Sequence, residues 1–495
     1  MVNFEREQNI EVLRQAGKLL EQENRRLMAK VLELTQRLVA ARGEDQTRLQ
    51  LEIQSLNELL ARRNKLLFGD SSERRPRAKD ATASEPKKGH GPREQRALRI
   101  IEQPHDLDPA DKVCKACGGD LAPMMDQAEE SEEITVIERE FVLVKHRRLK
   151  YRCGCNGCIE TAPGAPRLIK GGRYSIDFAI EVAAQKYLDH MPLERQVRVM
   201  AREGLVIDSQ TLWDQVEALA RAARPIYERL VAYVLSLPVL GVDETRWRMM
   251  GGKGDEGEAK RWQVWGMAAP NAAVYRIEDS RSAAAARNVL GSYQGIVMAD
   301  GYGVYDSLAK TTGSFTLANC WAHVRRKFVE IEECFPEQAG EALNLIGELY
   351  EVERSCPAGA VGDELRAQLR RERSREIVSR IHAWALAQRA LPQSGLGKAI
   401  AYMGGLWKGL VRFLDDPRIP LDNNATERAL RGVVVGRKNH YGSRSRRGTE
   451  VAAVMYSLLE SAKLAGIEPK AYLRHAVSAA LRGETPPLPH ECAAL

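Results

Sequence analysis

No stretch of this chain approaches the ~18 to 20 consecutive apolar residues that span a bilayer, and the opening MVNFEREQNIEVLRQ is charged where an export signal needs an apolar run. Membrane anchoring and export are therefore not expected. Cysteine is sparse: nine among 495 residues are too few for a disulfide scaffold. Five of the nine fall between Cys114 and Cys158, which favours a local metal site in a reducing cytosol. An excess of one charge is nearly missing as well. Seventy-four Lys and Arg against 67 Asp and Glu leave only +7, which informs only if it is concentrated somewhere. What remains is a globular composition, 44% hydrophobic and 28% charged, in a chain long enough for three or four domains at ~100 to 200 residues each.

Residues 1–68 carry a heptad repeat. Leu13, Leu20, Leu27 and Leu34 fill one seam position, and Ile10, Gly17, Asn24, Val31 and Leu38 fill the other, with a phase slip near Gly43 before Leu49, Ile53, Leu56 and Leu60. A coiled coil that pairs two copies into a homodimer is expected, with Asn24 fixing register. A helix folded back on the body is the other reading. Residues 69–98 lose the pattern. Between Ser71 and Leu98 there are eight basic and four acidic residues and almost nothing apolar, so this is expected to be a disordered basic linker, either a bare tether or a non-specific contact for phosphates.

Residues 99–170 read as a zinc ribbon. Cys114 and Cys117 form a C-x-x-C knuckle followed by Gly118 and Gly119, and after a β-like stretch over 134–144 a second knuckle follows at Cys155 and Cys158. Cys153 is an alternative ligand for either residue of that second pair. Four thiolates leave no open position for water, so the zinc would be structural. Residues 171–237 are expected to be helical, with a turn at Gly204 and a helix starting near a candidate N-cap, Ser209. That is a helix-turn-helix outline, which serves DNA reading or simple packing equally well.

From Leu240 the period becomes strand-like. VLGVDETRWRMM, RWQVWGMAA and AAVYRIED read as three strands, SAAAARNVL as a helix, GIVMAD as a short buried strand ending on Asp300, and FTLANCWAH as a strand leading into a helix. Three strands followed by alternating helices and strands is the plan of an RNase H-like domain, here over 238–460, with a helical insertion at about 322–413 and a C-terminal helical tail over 461–495. In that plan Asp243 and Asp300 face one another. Two carboxylates that close need cations between them. A third acid, Glu427, follows Asp422 and Asn423, either of which can cap the helix that turns Glu427 inward. Next to it, seven basic residues without an acid (Arg428, Arg431, Arg437, Lys438, Arg444, Arg446 and Arg447) gather the chain's positive excess where DNA would approach the carboxylates. A merely solvated basic segment is the plainer alternative. His323 is near enough in sequence to the active strand to be a helper, or else has a packing role.

LLFGDSSER, CKACGGDL, YRCGCNGC, KYLDHMPLERQ, GVDET, MADGYGVYD, CWAHVRRKF and DNNATERALRGVVVGRKN together resemble the DDE transposases of the insertion sequence 66 family over essentially the whole chain. One departure concerns the zinc: the family's second pair usually reads Tyr-x-Cys-x-x-Cys, and Asn156 stands three past Cys153. The resemblance implies that Asp243, Asp300 and Glu427 hold two Mg²⁺ (or Mn²⁺) ions, that zinc is structural, and that the partners are element-end and target DNA together with element-encoded accessory proteins. It implies a nucleoid-associated protein of the bacterial cytoplasm. The expected activity is metal-dependent cleavage and strand transfer of DNA at the ends of an insertion sequence. A structure-specific nuclease without strand transfer and a non-catalytic DNA-binding protein are the competing readings.

Overall fold

The computed structural model describes residues 10–40, 49–61 apart from 51 and 55, 139–152, 158–253 and 259–492. The linker and Cys114, Cys117, Cys153 and Cys155 lie outside the described residues. Among the described residues no helix is long and apolar enough to cross a membrane. The N-terminal helix α1 spans Ile10–Ala40. Two of its seam positions, Asn24 and Leu34, are already buried within one chain. Its Leu38 shares a cavity of about 200 Å³ with Ile53, Glu58, Cys334 and Phe335.

Strands β1 (Lys150–Arg152) and β2 (Ile159–Thr161) form an antiparallel ribbon with Tyr151 opposite Glu160. The β-like stretch expected over 134–144 holds no strand in its described part, 139–144. Val142, Leu143 and Val144 are exposed there, and the pairing forms instead between 150–152 and 159–161.

Three helices follow: α2 (Ile176–Tyr187), α3 (Leu193–Arg202) and α4 (Ser209–Ser236). The N-cap of α4 is Asp208 rather than Ser209. The Asp208 backbone is extended and its carboxylate accepts from the Thr211 N–H at 2.7 Å and the Thr211 hydroxyl at 2.9 Å, satisfying a donor that the helix leaves open. Leu212, Val216, Leu219, Ala223, Ile226, Leu230 and Val234 repeat at helical spacing along α4, and all are buried in one core with the sheet.

That sheet has five strands: β3 (Val239–Lys253), β4 (Ala259–Ala269), β5 (Ala272–Glu278), β6 (Ile296–Ala299) and β7 (Thr316–Asn319), in the order β5-β4-β3-β6-β7. β3, β4 and β5 are antiparallel hairpin neighbours, whereas β6 runs parallel to both β3 and β7. Helices α5 (Ala283–Leu290) and α6 (Gly303–Thr312) make the long connections that parallel strands require. β7 ends at Asn319. Cys320 stands at the N-cap position of the next helix, α7 (Trp321–Val329), without a side-chain cap bond, and the Trp321 N–H donates to Leu421 O, so CWAH opens a helix rather than closing a strand.

The two faces of β6 lead to different cores. Val297 and Ala299 join the larger one, with α4. Met298 joins a second core built by α7, α8 (Pro336–Arg354), α9 (Asp363–Leu369), α10 (Arg375–Ala387) and α11 (Gly395–Leu410). This second core is the helical insertion. Glu58 reaches it from the N-terminal segment, accepting the Gly395 N–H at the start of α11 at 3.1 Å.

Helix α12 (Asn424–His440) returns to the sheet, followed by α13 (Arg446–Leu464) and α14 (Pro469–Leu481). α13 runs through residue 460, where a boundary was expected, and Tyr472, Leu473, Ala476 and Val477 of α14 are buried in the larger core. The stretch from 461 to Leu481 is therefore largely helical and packed into the same core. The reason lies at the edge strand β5. Its outward N–H groups at Ala273 and Tyr275 donate to the Ser461 and Ser457 hydroxyls of α13, each at 2.9 Å, so the helix covers an edge that would otherwise be open to another chain.

His440 ends α12 inside this core, with Nε2 3.1 Å from the Tyr456 hydroxyl and the Trp247 and Tyr187 rings edge-on to it. Burial, with a smaller contribution from Lys186, pushes its pKa down to about 3. Its unfolded value is ~6.5, so the unfolded chain takes up the proton first. The stability tied to neutral His440 is complete above pH ~6.5 and declines as pH falls toward 3. Between pH 6.5 and 5 the loss from this residue is expected to reach about 2 kcal/mol, at ~1.4 kcal/mol per unit. Urea unfolding of His440→Gln at the two pH values checks it, since the variant should lose less stability than the parent.

Candidate active site

The register of the sheet determines where the acids stand. Gly241 of β3 pairs with Met298 of β6, and Asp243 and Asp300 each lie two residues further on, so both belong to the face that carries Met298. On this face β3 and β4 are flat. Gly241 offers no side chain, and Gly266 lies opposite Asp243. A Cβ at 241 would overlap the Thr426 hydroxyl, and Leu430 packs where a Cβ at 266 would lie. Two glycines thus admit α12 directly onto the strands, which brings Glu427, in its first turn, near enough to Asp243 to repel its carboxylate.

The start of α12 is tied down from several sides. Asn423 stands at the N-cap without a side-chain cap bond and turns its amide to Val242 O of β3 at 2.9 Å, while Asp422 before it accepts from the Asn424 N–H at 3.0 Å. The Asn423 N–H donates to the Cys320 sulfur at 3.2 Å. Asp300 closes β6 with its carboxylate accepting from the Tyr302 N–H at 2.9 Å, across Gly301 at φ +100°. A residue with a Cβ would be strained at that angle.

The acids of the site are buried and close to one another. Burial first, then the neighbouring Glu244 carboxylate, with smaller contributions from Asp300 and Glu427, push the Asp243 carboxyl up to about 7, against the Glu244 N–H that bonds it at 2.8 Å. The Glu427 Oε1 is buried without a hydrogen-bond donor, and His323 Nε2 lies 3.7 Å from it. His323 lies in the first turn of α7, with its Nδ1 buried and without a partner. These three acids would supply an all-oxygen donor set, which suits a hard divalent cation. Among the described residues, no three His, Cys, Asp or Glu side chains converge closely enough to hold one ion as they stand.

Glu244 escapes a sequence reading centred on Asp243. Being next to it on a strand, it must face the opposite side, where its side chain is 1% exposed. Arg281 ion-pairs with it, with Nε 2.7 Å from Oε1, and the Tyr305 hydroxyl donates to it at 2.8 Å. The Arg281 guanidinium in turn lies 3.9 Å above the Tyr302 ring. An acid forced by alternation into a core was the available signal, because such a carboxylate needs a cation.

The basic residues separate into two sets. Arg428, Arg431 and Lys438 are exposed along one stripe of α12, and Arg444 and Arg446 are exposed beyond it. Arg437 is half-buried, with its guanidinium bonded to Arg246 O, and Arg447 pairs with Glu217 at 2.8 Å. Of the cysteines expected to bind zinc, only Cys158 is described, and it is exposed.

Residues 171–451 match the family model described as "Transposase IS66 family", and residues 111–156 match the "zinc-finger binding domain of transposase IS66". The first match covers more than half of the chain and defines a transposase of the DDE class. This chain belongs to the IS66 transposase family. The zinc-finger match includes Cys153 and Cys155 and ends two residues before Cys158. Among similar proteins are three uncharacterized proteins of Sinorhizobium fredii (strain NBRC 101917 / NGR234). Protein y4jD is 32% identical over 399 residues, covering 77% of this chain and 76% of its own. Protein y4hP is 28% identical over 90% of this chain and 84% of its own, and y4qI is 29% identical over 84% and 76%.

If close approach of α12 to β3 places Glu427, Gly241→Ala should disturb the site from within the sheet. The added methyl meets Thr426 and Asn423, and overpacking of this kind costs about 1–3 kcal/mol. Gly266→Ala meets only the flexible end of Leu430 at 3.0 Å and should cost less. Chemical denaturation of the two variants checks the order.

Proposed function

We propose that this transposase binds the ends of its insertion sequence and catalyses metal-dependent strand cleavage and strand transfer, with Asp243, Asp300 and Glu427 as the acids that hold two Mg²⁺ (or Mn²⁺) ions. One observation carries the reading: two strand carboxylates on one face of the sheet stand beneath a third from a helix, with an Asp243 carboxyl raised by burial and by its neighbours and a buried Glu427 oxygen that lacks a donor. The ions, when bound, would activate the attacking water or 3′-hydroxyl and stabilise the leaving oxygen. The chain's own part is to hold and orient them. Asp300 is fixed by the Tyr302 N–H and Glu427 by the tied-down start of α12, and His323 Nε2 stands beside Glu427 to hold or pass a proton. Arg428, Arg431 and Lys438, with Arg444 and Arg446, offer the exposed positive surface that phosphates need on the way to an acidic site, and Arg437 and Arg447 belong to the same tract. The strand order, three antiparallel strands followed by two parallel ones, supports an RNase H-like domain interrupted by the insertion at α7 to α11.

The remaining parts of the proposal lie away from the acids. Zinc would be structural, held by Cys114 and Cys117 with Cys155 and Cys158, or with Cys153 in place of one of these. A homodimer would form through α1. At ~1.5 Å per residue that helix is about 46 Å long, which gives a long seam for a second copy.

Incubating the full-length protein with labelled DNA bearing the element's ends, with and without Mg²⁺, tests the reading. Cleaved and joined products should require the metal. Asp243→Asn, Asp300→Asn and Glu427→Gln should each lower cleavage by roughly 100-fold or more while end binding persists, since each removes a ligand charge at constant volume. Near-normal cleavage by one variant removes that residue from the triad, and cleavage without joining makes the protein a nuclease.

A further inference from the structure

The helical insertion makes a polar contact with the turn that carries Asp300. Tyr402, in the middle of α11, donates its hydroxyl to the backbone carbonyl of Asp300 at 2.8 Å. One turn further along the same helix, Leu406 fills the space beside Gly301, where a Cβ would come within 2.8 Å of it. The carbonyl and the Gly301 Cα of a single tight turn are thus both seated against α11, and the Asp300 carboxylate on the other side accepts from the Tyr302 N–H.

α11 itself is rigidly placed. Ser394 caps its start by accepting from the Gly397 N–H at 3.0 Å, and Glu58 accepts from the Gly395 N–H. At its other end Leu410 O accepts from the Trp321 indole at 2.9 Å, and the bare Gly409 lies so close to Asn319 that a Cβ would overlap the Asn319 amide oxygen. A side chain on such a helix reports the position of the whole insertion to the last residues of β6. The phenol is half-buried, and burial pushes its pKa up to about 12, so it remains a donor.

We propose that Tyr402 is a positioning residue for Asp300, through which the insertion sets the affinity of the acidic site for its divalent cation. This rests on the reading of Asp300 as a metal ligand. Groups that orient ligands in this way typically cost 10- to 100-fold in metal affinity or activity when removed.

The test uses the full-length, chelator-treated protein without DNA, titrated with Mg²⁺ and followed by calorimetry and by the metal-induced rise in melting temperature. Tyr402→Phe should weaken Mg²⁺ binding by roughly 10-fold or more. Its melting temperature in chelator should stay close to wild type, its KM for end DNA should be unchanged, and cleavage should recover at high Mg²⁺. Tyr227→Phe is the control. It loses a hydroxyl-to-carbonyl bond of similar length, 2.9 Å to Tyr275 O, away from the acids, and should bind Mg²⁺ as wild type does. Asp300→Asn should lose tight binding altogether. If Asp300→Asn loses it and Tyr402→Phe does not, positioning by Tyr402 is overturned and the ligand reading stands. If Asp300→Asn binds Mg²⁺ as wild type does, the ligand reading fails and takes the role of Tyr402 with it.

Discussion

Like charges drawn out of water onto one face of a sheet are the constraint from which the rest of this structure follows. Asp243 and Asp300 are level because β3 and β6 run parallel in a register that pairs Gly241 with Met298, and Glu427 is lowered onto them by α12. Burial first, then the adjacent Glu244 carboxylate, with smaller contributions from Asp300 and Glu427, push Asp243 up to about 7. Glu244 shows the other solution to the same difficulty. One residue along and facing the opposite core, it has Arg281 and Tyr305 beside it. One buried carboxylate is paired with an arginine, and the other accepts the Glu244 N–H at 2.8 Å.

Holding repelling groups together takes rigid supports, and the fold supplies them from distant parts of the chain. Glycines at 241 and 266 let α12 lie flush on the sheet, and the Asn423 amide fastens it to Val242. The insertion then braces what the sheet alone leaves loose. Arg370, buried in a π-helical turn between α9 and α10, pairs with Glu353 at 2.7 Å and donates to the carbonyls of Phe413, Asp416 and Ile419 at 2.7, 3.0 and 3.1 Å. Those carbonyls belong to the segment that leads into Asp422 and Glu427. A buried arginine with this many acceptors is costly to disturb, because each lost bond leaves a desolvated partner. The helical insertion is thus part of the framework of the acids.

Much of the sheet is legible in the sequence because its signals are local. Alternation and short apolar runs mark β3 to β6, and the parallel register alone brings Asp243 level with Asp300. The polar pattern ahead of Glu427 is also local, with Asn423 at the N-cap and Asp422 accepting the first helical N–H. What escapes such a reading depends on contacts between distant segments. FTLANCWAH reads as a strand, yet the Trp321 N–H finds Leu421 O, a hundred residues on, and a helix begins there. Nothing in ESAKLAG announces that Ser461 will cap the edge of β5, and nothing near Tyr402 announces Asp300. Asp208 takes the cap expected of Ser209 because a carboxylate in extended backbone reaches the Thr211 N–H.

The central claim is that these three carboxylates form one divalent-cation site. Soaking crystals of the protein in Mn²⁺ and measuring its anomalous scattering tests this most directly. Density among Asp243, Asp300 and Glu427, lost in Asp243→Asn, is the predicted result. Mn²⁺ bound elsewhere, with these carboxylates contacting only protein and water, would contradict it.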